Sequence, residues 1–201
     1  MFNLPKDTEI NQRIQKIKIF EANALKPSEK KLFDNTISTL YVVNQISKNT
    51  IPSLSDGENI HAINVVLIEL KNECNNSLID IVFKSINQTM ILILHKNDDY
   101  TVSVKYKGTI LFNSISIDIP ILLNGNNMDE VYDNLIKDLL NIKIRDNNTL
   151  EEQIKENEEI KRVQQEIGKL ELKRDKEVQF NKKVKYNVEI NKLKKELEIY
   201  K

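Results

Sequence analysis

The stretch Ile63–Lys71, INVVLIELK, ends in a glutamate and a lysine whose spacing could carry chemistry. Residues two apart on a β-strand point to the same side, so Glu69 and Lys71 would share a face. A Mg²⁺-dependent nuclease of the PD-(D/E)xK kind needs such a pair, together with an upstream acid that helps to hold the metal. Asp56 is the only well-placed upstream acid, so these three residues are the candidate catalytic set of one hypothesis.

The same residues also have a plainer interpretation. Asp56 precedes Gly57 in a pattern typical of a tight turn, and no predicted strand carries this acid. In a chain that is 30% charged, Glu-x-Lys arises by chance. A half-buried strand also ends in charge simply where it reaches water. We therefore keep the nuclease as the alternative hypothesis and not as the first one.

The other reactive side chains predict no further chemistry. His61 and His95 each flank a predicted strand without other ligands at the spacing of a zinc site, so we predict no metal and no cofactor. Cys74 is the only cysteine, which excludes an internal disulfide, and we interpret it as structural. The glycine-rich patterns that cradle phosphates are missing, which argues against nucleotide hydrolysis.

Hydrophobic spacing predicts the elements that surround Glu69. We expect a short extended piece over Ile14–Phe20. A first helix is predicted over Lys26–Ile46, with Phe33 in its apolar stripe. Ile63–Lys71 is dense in β-branched residues and apolar on both faces, which predicts a buried strand.

The segments that follow complete a predicted sheet. Asn75–Ile86 has the spacing of a helix, Met90–His95 is a second buried strand, and Tyr100–Tyr106 alternates as a strand with one wet face does. A last helix begins after Asn127, a plausible cap. One strand–helix–strand unit gives one parallel pair, so we predict an α+β fold with a mixed sheet and packed helices over residues 1–148.

Residues 149–201 change to almost unbroken charge with two apolar seams. The spacing of three and four residues along each seam predicts a helical, coiled-coil-like arm. The seams are out of phase, which favours two helices folded as a hairpin over one long helix with a stutter. Such apolar edges need a cover, so we predict a partner interface formed by Ile160, Val163, Ile167, Leu170, Ile190, Leu193 and Leu197.

Charge is balanced over the chain but not within the arm. The 30 basic and 30 acidic residues argue against a protein that coats nucleic acid or an anionic membrane with its whole surface. Lys182, Lys183 and Lys185 form a local basic stretch that is either a solvated helix face or a contact for DNA phosphates. No apolar run is long enough to cross a bilayer, so we expect a cytoplasmic protein without membrane contact.

Several motifs together resemble one protein family. They are LPK near the N-terminus, LIELKN, SVKYKG, and the tail KEVQFNKKVKYNVEINKLKKELE, of which the tail is the most specific. Over nearly its whole length the chain is similar to the uncharacterised prokaryotic family called domain of unknown function 4391. The resemblance implies a gene encoded beside those of helicases and DNA methyltransferases in restriction-like defence clusters. It identifies no catalytic residues.

These observations lead to a first hypothesis and two others. The first is a non-enzymatic assembly subunit of a DNA-directed defence system, whose helical arm docks a helicase or methyltransferase or associates with itself. The alternative is the Mg²⁺-dependent nuclease that uses Asp56, Glu69 and Lys71. The third is a DNA-binding protein without enzymatic activity.

Overall fold

A computed structural model describes residues 3–86, 88–116, 120–145 and 147–200. Within these residues the chain forms a mixed six-stranded sheet with packed helices, which confirms the predicted α+β class. The chain divides into two compact units, Met1–Ile142 and Lys143–Lys201, which we call the sheet unit and the hairpin unit. No helix in the described ranges combines the length and the apolar composition needed to span a membrane.

The strands of the described sheet are β1 (Glu9–Arg13), β2 (Ile37–Ser47), β3 (Ala62–Leu70), β4 (Thr89–Lys96), β5 (Asp99–Tyr106) and β6 (Thr109–Ile115). Their order in the sheet follows their order in the chain. Among them only β3 and β4 are parallel, and every other neighbouring pair is antiparallel. The prediction of one parallel pair is confirmed, because a helix connects these two strands, whereas two-residue turns join β4 to β5 and β5 to β6.

The helices of the sheet unit are α1 (Lys16–Ala22), α2 (Pro27–Thr36), α3 (Asn76–Ser85) and α4 (Met128–Leu139). The first three pack on one face, where Ile68 of β3 and Leu92 of β4 join their apolar side chains in one core. Lys105 of β5 points to this face, since its Nζ lies 3.1 Å from a carboxylate oxygen of Asp80 in α3. Its neighbour Tyr106 points to the other face, where α4 covers the sheet.

The predicted helix over Lys26–Ile46 is wrong in its second half. Helix α2 ends at Thr36, and Ile37 begins the longest strand of the described sheet. Residues 37–47 are rich in β-branched and aromatic side chains, which favour strands, and they pair with β3 over nearly their whole length. Sheet pairing therefore overrides the helical spacing that joins Phe33 to Ile37.

The N-terminal prediction is wrong as well. The segment predicted to be extended, Ile14–Phe20, lies mostly in helix α1, while the polar residues before it supply the edge strand β1. Its alternation of lysine and isoleucine imitates a strand. The helix instead buries Ile19 and Phe20 together in the core and leaves Ile17 53% exposed.

Strand β5 does not have the solvent-exposed face that its sequence predicts. Ser103, on its polar side, is fully buried between Leu92 of β4 and Phe112 of β6, which lie opposite it in the sheet. The Oγ atom of Ser103 has no hydrogen-bond partner among the described residues. The alternation along β5 thus correctly marks two sides but does not predict that helices cover both.

The described residues of the hairpin unit form two helices, α5 (Leu150–Lys176) and α6 (Phe180–Glu198), joined at residues 177–179. The helices are antiparallel, because Glu171 pairs with Lys194 at 3.0 Å and the later Arg174 bonds to the earlier Asn187. Thr149 starts α5 with a reciprocal cap, in which its hydroxyl accepts from the backbone of Glu152 and the Glu152 carboxylate accepts from that of Thr149.

Candidate functional site

Most of the residues predicted to bind a partner lie on the inner side of the hairpin. Four of them are buried against one another: Val163, Ile167, Leu170 and Ile190. Two more are half-buried and pack on this cluster: Leu193 and Leu197. Ile160 is half-buried. The two seams therefore cover each other within the hairpin.

Apolar side chains that were not predicted as an interface lie on the outer side of α6 and directly after its end. We call Val184, Val188 and Ile199 the outer stripe; they are 43%, 65% and 80% exposed. Val184 and Val188 lie one turn apart and therefore adjoin, and Ile199 follows three turns later on the same side. Their helical spacing is present in the sequence, but the lysines between them make the apolar pattern hard to recognise.

The three lysines predicted to contact nucleic acid lie in the first turns of α6. Lys182 forms an ion pair with Glu177, with Nζ and the carboxylate oxygen 3.8 Å apart. Lys183 and Lys185 have no carboxylate partner among the described residues. All three belong to one end of the hairpin, so the structure does bring them together.

The structure does not bring Asp56 to the other residues of the nuclease hypothesis. Asp56 lies in the loop before β3, which the Asp129 carboxylate at the start of α4 holds by accepting backbone N–H groups at 2.7 and 2.9 Å from Glu58 and Ile60. Glu69 lies near the opposite end of β3, and the strand rises about 3.3 Å per residue. About 23 Å of strand therefore separates Glu69 from the loop that contains Asp56.

Lys71 is also separated from Glu69. It follows the end of β3, and its Nζ donates to the backbone oxygen of Asp34 in α2 at 3.0 Å. Ile68 and Leu70 point to the face that α2 covers, so Glu69 between them points to the opposite face. The expected metal-binding and water-activating set is therefore not assembled in this structure.

Glu69 instead lies beside His95. Across the sheet the register places Glu69 of β3 opposite His95 of β4, and His95 opposite Tyr100 of β5. His95 Nδ1 is 2.7 Å from Glu69 Oε2, and the His95 ring stacks on Tyr100 with centroids 4.3 Å apart and planes 11° apart. We call Glu69, His95 and Tyr100 the row. It lies at the carboxyl end of the parallel pair, where open α/β sheets bind ligands.

This row is a candidate for proton transfer, but its geometry also follows from strand pairing alone, since directly opposed side chains interact in any sheet. In the sequence alone His95 is a solitary residue beside a strand, because parallel register cannot be read from one strand. Within the described part of the chain, no three His, Cys, Asp or Glu side chains are grouped closely enough to hold a metal ion.

The Glu69 carboxylate is expected to select the tautomer of His95. An ionised carboxylate only accepts hydrogen bonds, so neutral His95 carries its proton on Nδ1 and leaves the Nε2 lone pair open. Nitrogen-15 NMR at alkaline pH measures this directly, and the chain has only two histidines. His61, 71% exposed and 3.9 Å from Asp56, is the control and should favour the ordinary Nε2–H form. A protonated Nε2 at His95, or no change in Glu69→Ala, would contradict this assignment.

A cleft of about 610 Å³ opens at the same end of the sheet, and Cys74, Lys96 and Tyr100 contribute to its lining. Lys96 is paired with Glu73. Burial, followed by the Glu73 carboxylate, raises the pKa of the Cys74 thiol to about 11. Because the thiolate is the reactive form of cysteine, a thiol that stays protonated at neutral pH fits the structural interpretation of Cys74.

Comparison with known proteins gives one family. The model of the family described as domain of unknown function 4391 matches residues 2–197, which confirms the resemblance drawn from the sequence motifs. Searches of curated proteins and of solved structures give no match.

Proposed function

We propose that this chain, which belongs to the domain of unknown function 4391 family, is a non-enzymatic accessory subunit that docks a larger protein through its hairpin unit. The resemblance drawn from the sequence suggests the setting, a DNA-directed, restriction-like defence system. It also suggests the partner, a helicase or a methyltransferase. The observation that carries the proposal is the outer stripe of α6.

The hairpin does not need the outer stripe for its own stability. Val163, Ile167, Leu170 and Ile190 close the contact between α5 and α6, whereas Val188 lies on the other side of α6 and is 65% exposed. Apolar side chains at intervals of one turn are the anchors with which a helix enters a groove of another protein. Each square ångström of apolar surface buried there would contribute about 25 cal/mol.

The charges beside the outer stripe define the complementary surface. Lys185, Lys192 and Lys195 lie on the same outer side of α6 as the stripe, at about 100° of rotation per residue. All three are exposed. A matching partner groove is apolar at its centre and acidic at its rim, because opposite charges at the rim of an interface steer association.

Co-expression with the products of the neighbouring genes tests this proposal. We expect the tagged chain to retain a helicase or methyltransferase, and Val188→Glu to reduce the recovered partner at least tenfold, because it places a carboxylate in the apolar centre of the contact. Gln165→Glu adds the same charge at an exposed position of α5 and should leave recovery unchanged.

Two further results would decide against docking through the hairpin. A truncated chain that ends at Asn148 and still retains the partner would place the contact in the sheet unit. Loss of recovery by both glutamate variants alike would indicate a general effect of charge. Analytical ultracentrifugation of the chain alone shows whether a second copy occupies the outer stripe; a dimer that Val188→Glu dissociates would replace the proposed partner.

A further inference from the structure

The connected end of the hairpin is strongly basic. We call Lys173–Lys185 the tip; it contains six basic and two acidic residues, whereas the whole chain is balanced. Both acids are engaged, since Asp175 accepts from Arg174 at 2.9 Å and Glu177 pairs with Lys182. The remaining lysines of the tip have no carboxylate partner among the described residues: Lys173, Lys176, Lys183 and Lys185.

Helix stability explains only part of this charge. Lysines near the C-terminus of α5 interact favourably with the helix dipole. The first turns of α6 carry the positive end of the dipole, where lysines are unfavourable and acids are preferred. The first turn of α6 nevertheless contains no acidic residue, and Gln179 makes no side-chain cap. Glu177, just before α6, accepts the backbone N–H of Gln179 and pairs with Lys182. Lys183 and Lys185 have no carboxylate partner among the described residues, so their charge needs a reason outside the fold of the hairpin.

Negative charge lies at the opposite end of the hairpin. The first eleven residues of α5 contain a single lysine, Lys155, and five glutamates: Glu151, Glu152, Glu156, Glu158 and Glu159. The length of α5, about 40 Å for its 27 residues at about 1.5 Å each, separates most of these acids from the tip. That distance exceeds the Debye length of about 8 Å at physiological ionic strength, so they do not neutralise the basic end.

An aromatic side chain is exposed within the basic tip. Phe180, at the start of α6, is 77% exposed, and the neighbouring Val178 is 91% exposed. Tyr186, a turn and a half later, packs on the hairpin core as an aromatic residue on a helix seam normally does. Phe180 differs from Tyr186, because its ring faces solvent in a segment rich in lysine.

We propose that the tip binds single-stranded nucleic acid. Lys182, Lys183 and Lys185 contact phosphates of the strand, and the Phe180 ring stacks on an unpaired base. An exposed aromatic ring in a basic surface is the combination with which proteins hold single strands without reading their sequence. A duplex hides its base faces except at its ends, so the exposed ring favours a single strand. The tip overlaps the docking surface at Val184 and Lys185, whereas Val188 lies outside the tip, so Val188→Glu leaves every residue of the tip in place.

Fluorescence anisotropy with the full chain tests the tip. The probes are labelled oligothymidylate and oligouridylate of about 16 nucleotides, with a blunt duplex of the same length for comparison. We expect both single strands to bind more tightly than the duplex, and the tighter of the two distinguishes DNA from RNA. Three phosphate contacts predict a slope of about −2 for the logarithm of affinity against that of salt concentration, between about 50 and 200 mM.

Matched variants separate stacking from charge. Phe180→Leu keeps an apolar side chain but removes the ring, and it should weaken binding at least about fivefold. The double variant K183A/K185A should reduce the magnitude of the salt slope by about 1.4. The control K192A/K195A removes two exposed lysines of the same helix away from the tip, and it should leave the slope unchanged. Circular dichroism confirms that each variant stays helical.

Four results would overturn the proposal. They are no binding of single strands at low salt, equal effects of the two double variants, full affinity in Phe180→Leu, and tighter binding to phosphatidylserine vesicles or polyglutamate than to either oligonucleotide. The last result would reassign the tip to an anionic membrane or to an acidic protein. None of the four depends on recovery of the docked protein, so the two proposals fail separately.

Discussion

Replacing Ile190 by aspartate is expected to unfold the hairpin unit. Ile190 is 2% exposed and is the fully buried residue that α6 contributes to the hairpin core. A carboxylate there would be buried without a partner, at a cost of about 3 kcal/mol or more. The two helices share one narrow seam, and isolated helices are marginal in water. Circular dichroism should therefore show the loss of most of the helical signal that the unit contributes.

Val188→Asp is the matched control for this experiment. It places the same side chain on the same helix two residues earlier, on the side where Val188 is 65% exposed. A surface substitution of this kind changes stability by about 0.5 kcal/mol or less. Equal loss of helix in both variants would mean that α6 does not pack through Ile190, and no loss in either would mean that the seam is open.

Replacing Phe33 by alanine is expected to cost the sheet unit about 3–5 kcal/mol. Phe33 is completely buried where α2 packs on the sheet, and its ring meets that of Phe20 edge-on, with centroids 5.4 Å apart. The substitution removes the ring and leaves a cavity between α1, α2 and the strands. Since domains are stable by only about 5–15 kcal/mol, the urea midpoint should fall by a large fraction while the slope of the transition stays the same.

Leu32→Ala controls for the loss of an apolar side chain from the same helix. Leu32 precedes Phe33 and is 46% exposed, so its truncation removes few buried contacts. We expect a change of less than about 1 kcal/mol. If both variants shifted the urea midpoint equally, the burial of Phe33 would not explain its effect.

The closed hairpin core changes how function should be tested. Any polar substitution at Ile167, Leu170 or Ile190 would remove the folded hairpin, and with it both the outer stripe and the tip. Such a variant would fail to bind a partner because its hairpin is unfolded, and not because a residue that contacts the partner is changed. Val188 and Phe180 are exposed, so variants there change a surface while the hairpin remains folded.

Local features of the chain were readable from the sequence. The continuous apolar run of INVVLIELK predicts β3, which is found at Ala62–Leu70. Asn127 caps α4 as predicted, with its Oδ1 accepting the backbone N–H of Glu130 at 2.9 Å. The family was recognisable from motifs along the chain. The strand and the cap are each signalled by a few consecutive residues, where side-chain size and hydrogen-bonding groups act directly on the backbone.

Contacts between distant segments were decided by the tertiary structure. Residues 37–47 have helical spacing of their apolar side chains, yet pairing with β3 makes them a strand. Glu69 and His95 are far apart in the chain and meet because β3 and β4 are parallel in one particular register. Strand register depends on how two faces are buried at once, and a single segment does not contain that information.

The hairpin unit shows both contributions. Its sequence predicts two amphipathic helical segments, because apolar residues recur at intervals of three and four. Only the folded unit decides that the two seams cover each other and that Val188 and Phe180 remain in water. The reason is physical. Burial of an apolar stripe away from water is favourable whatever surface buries it. Which surface does so depends on the segments that the rest of the fold places beside the stripe.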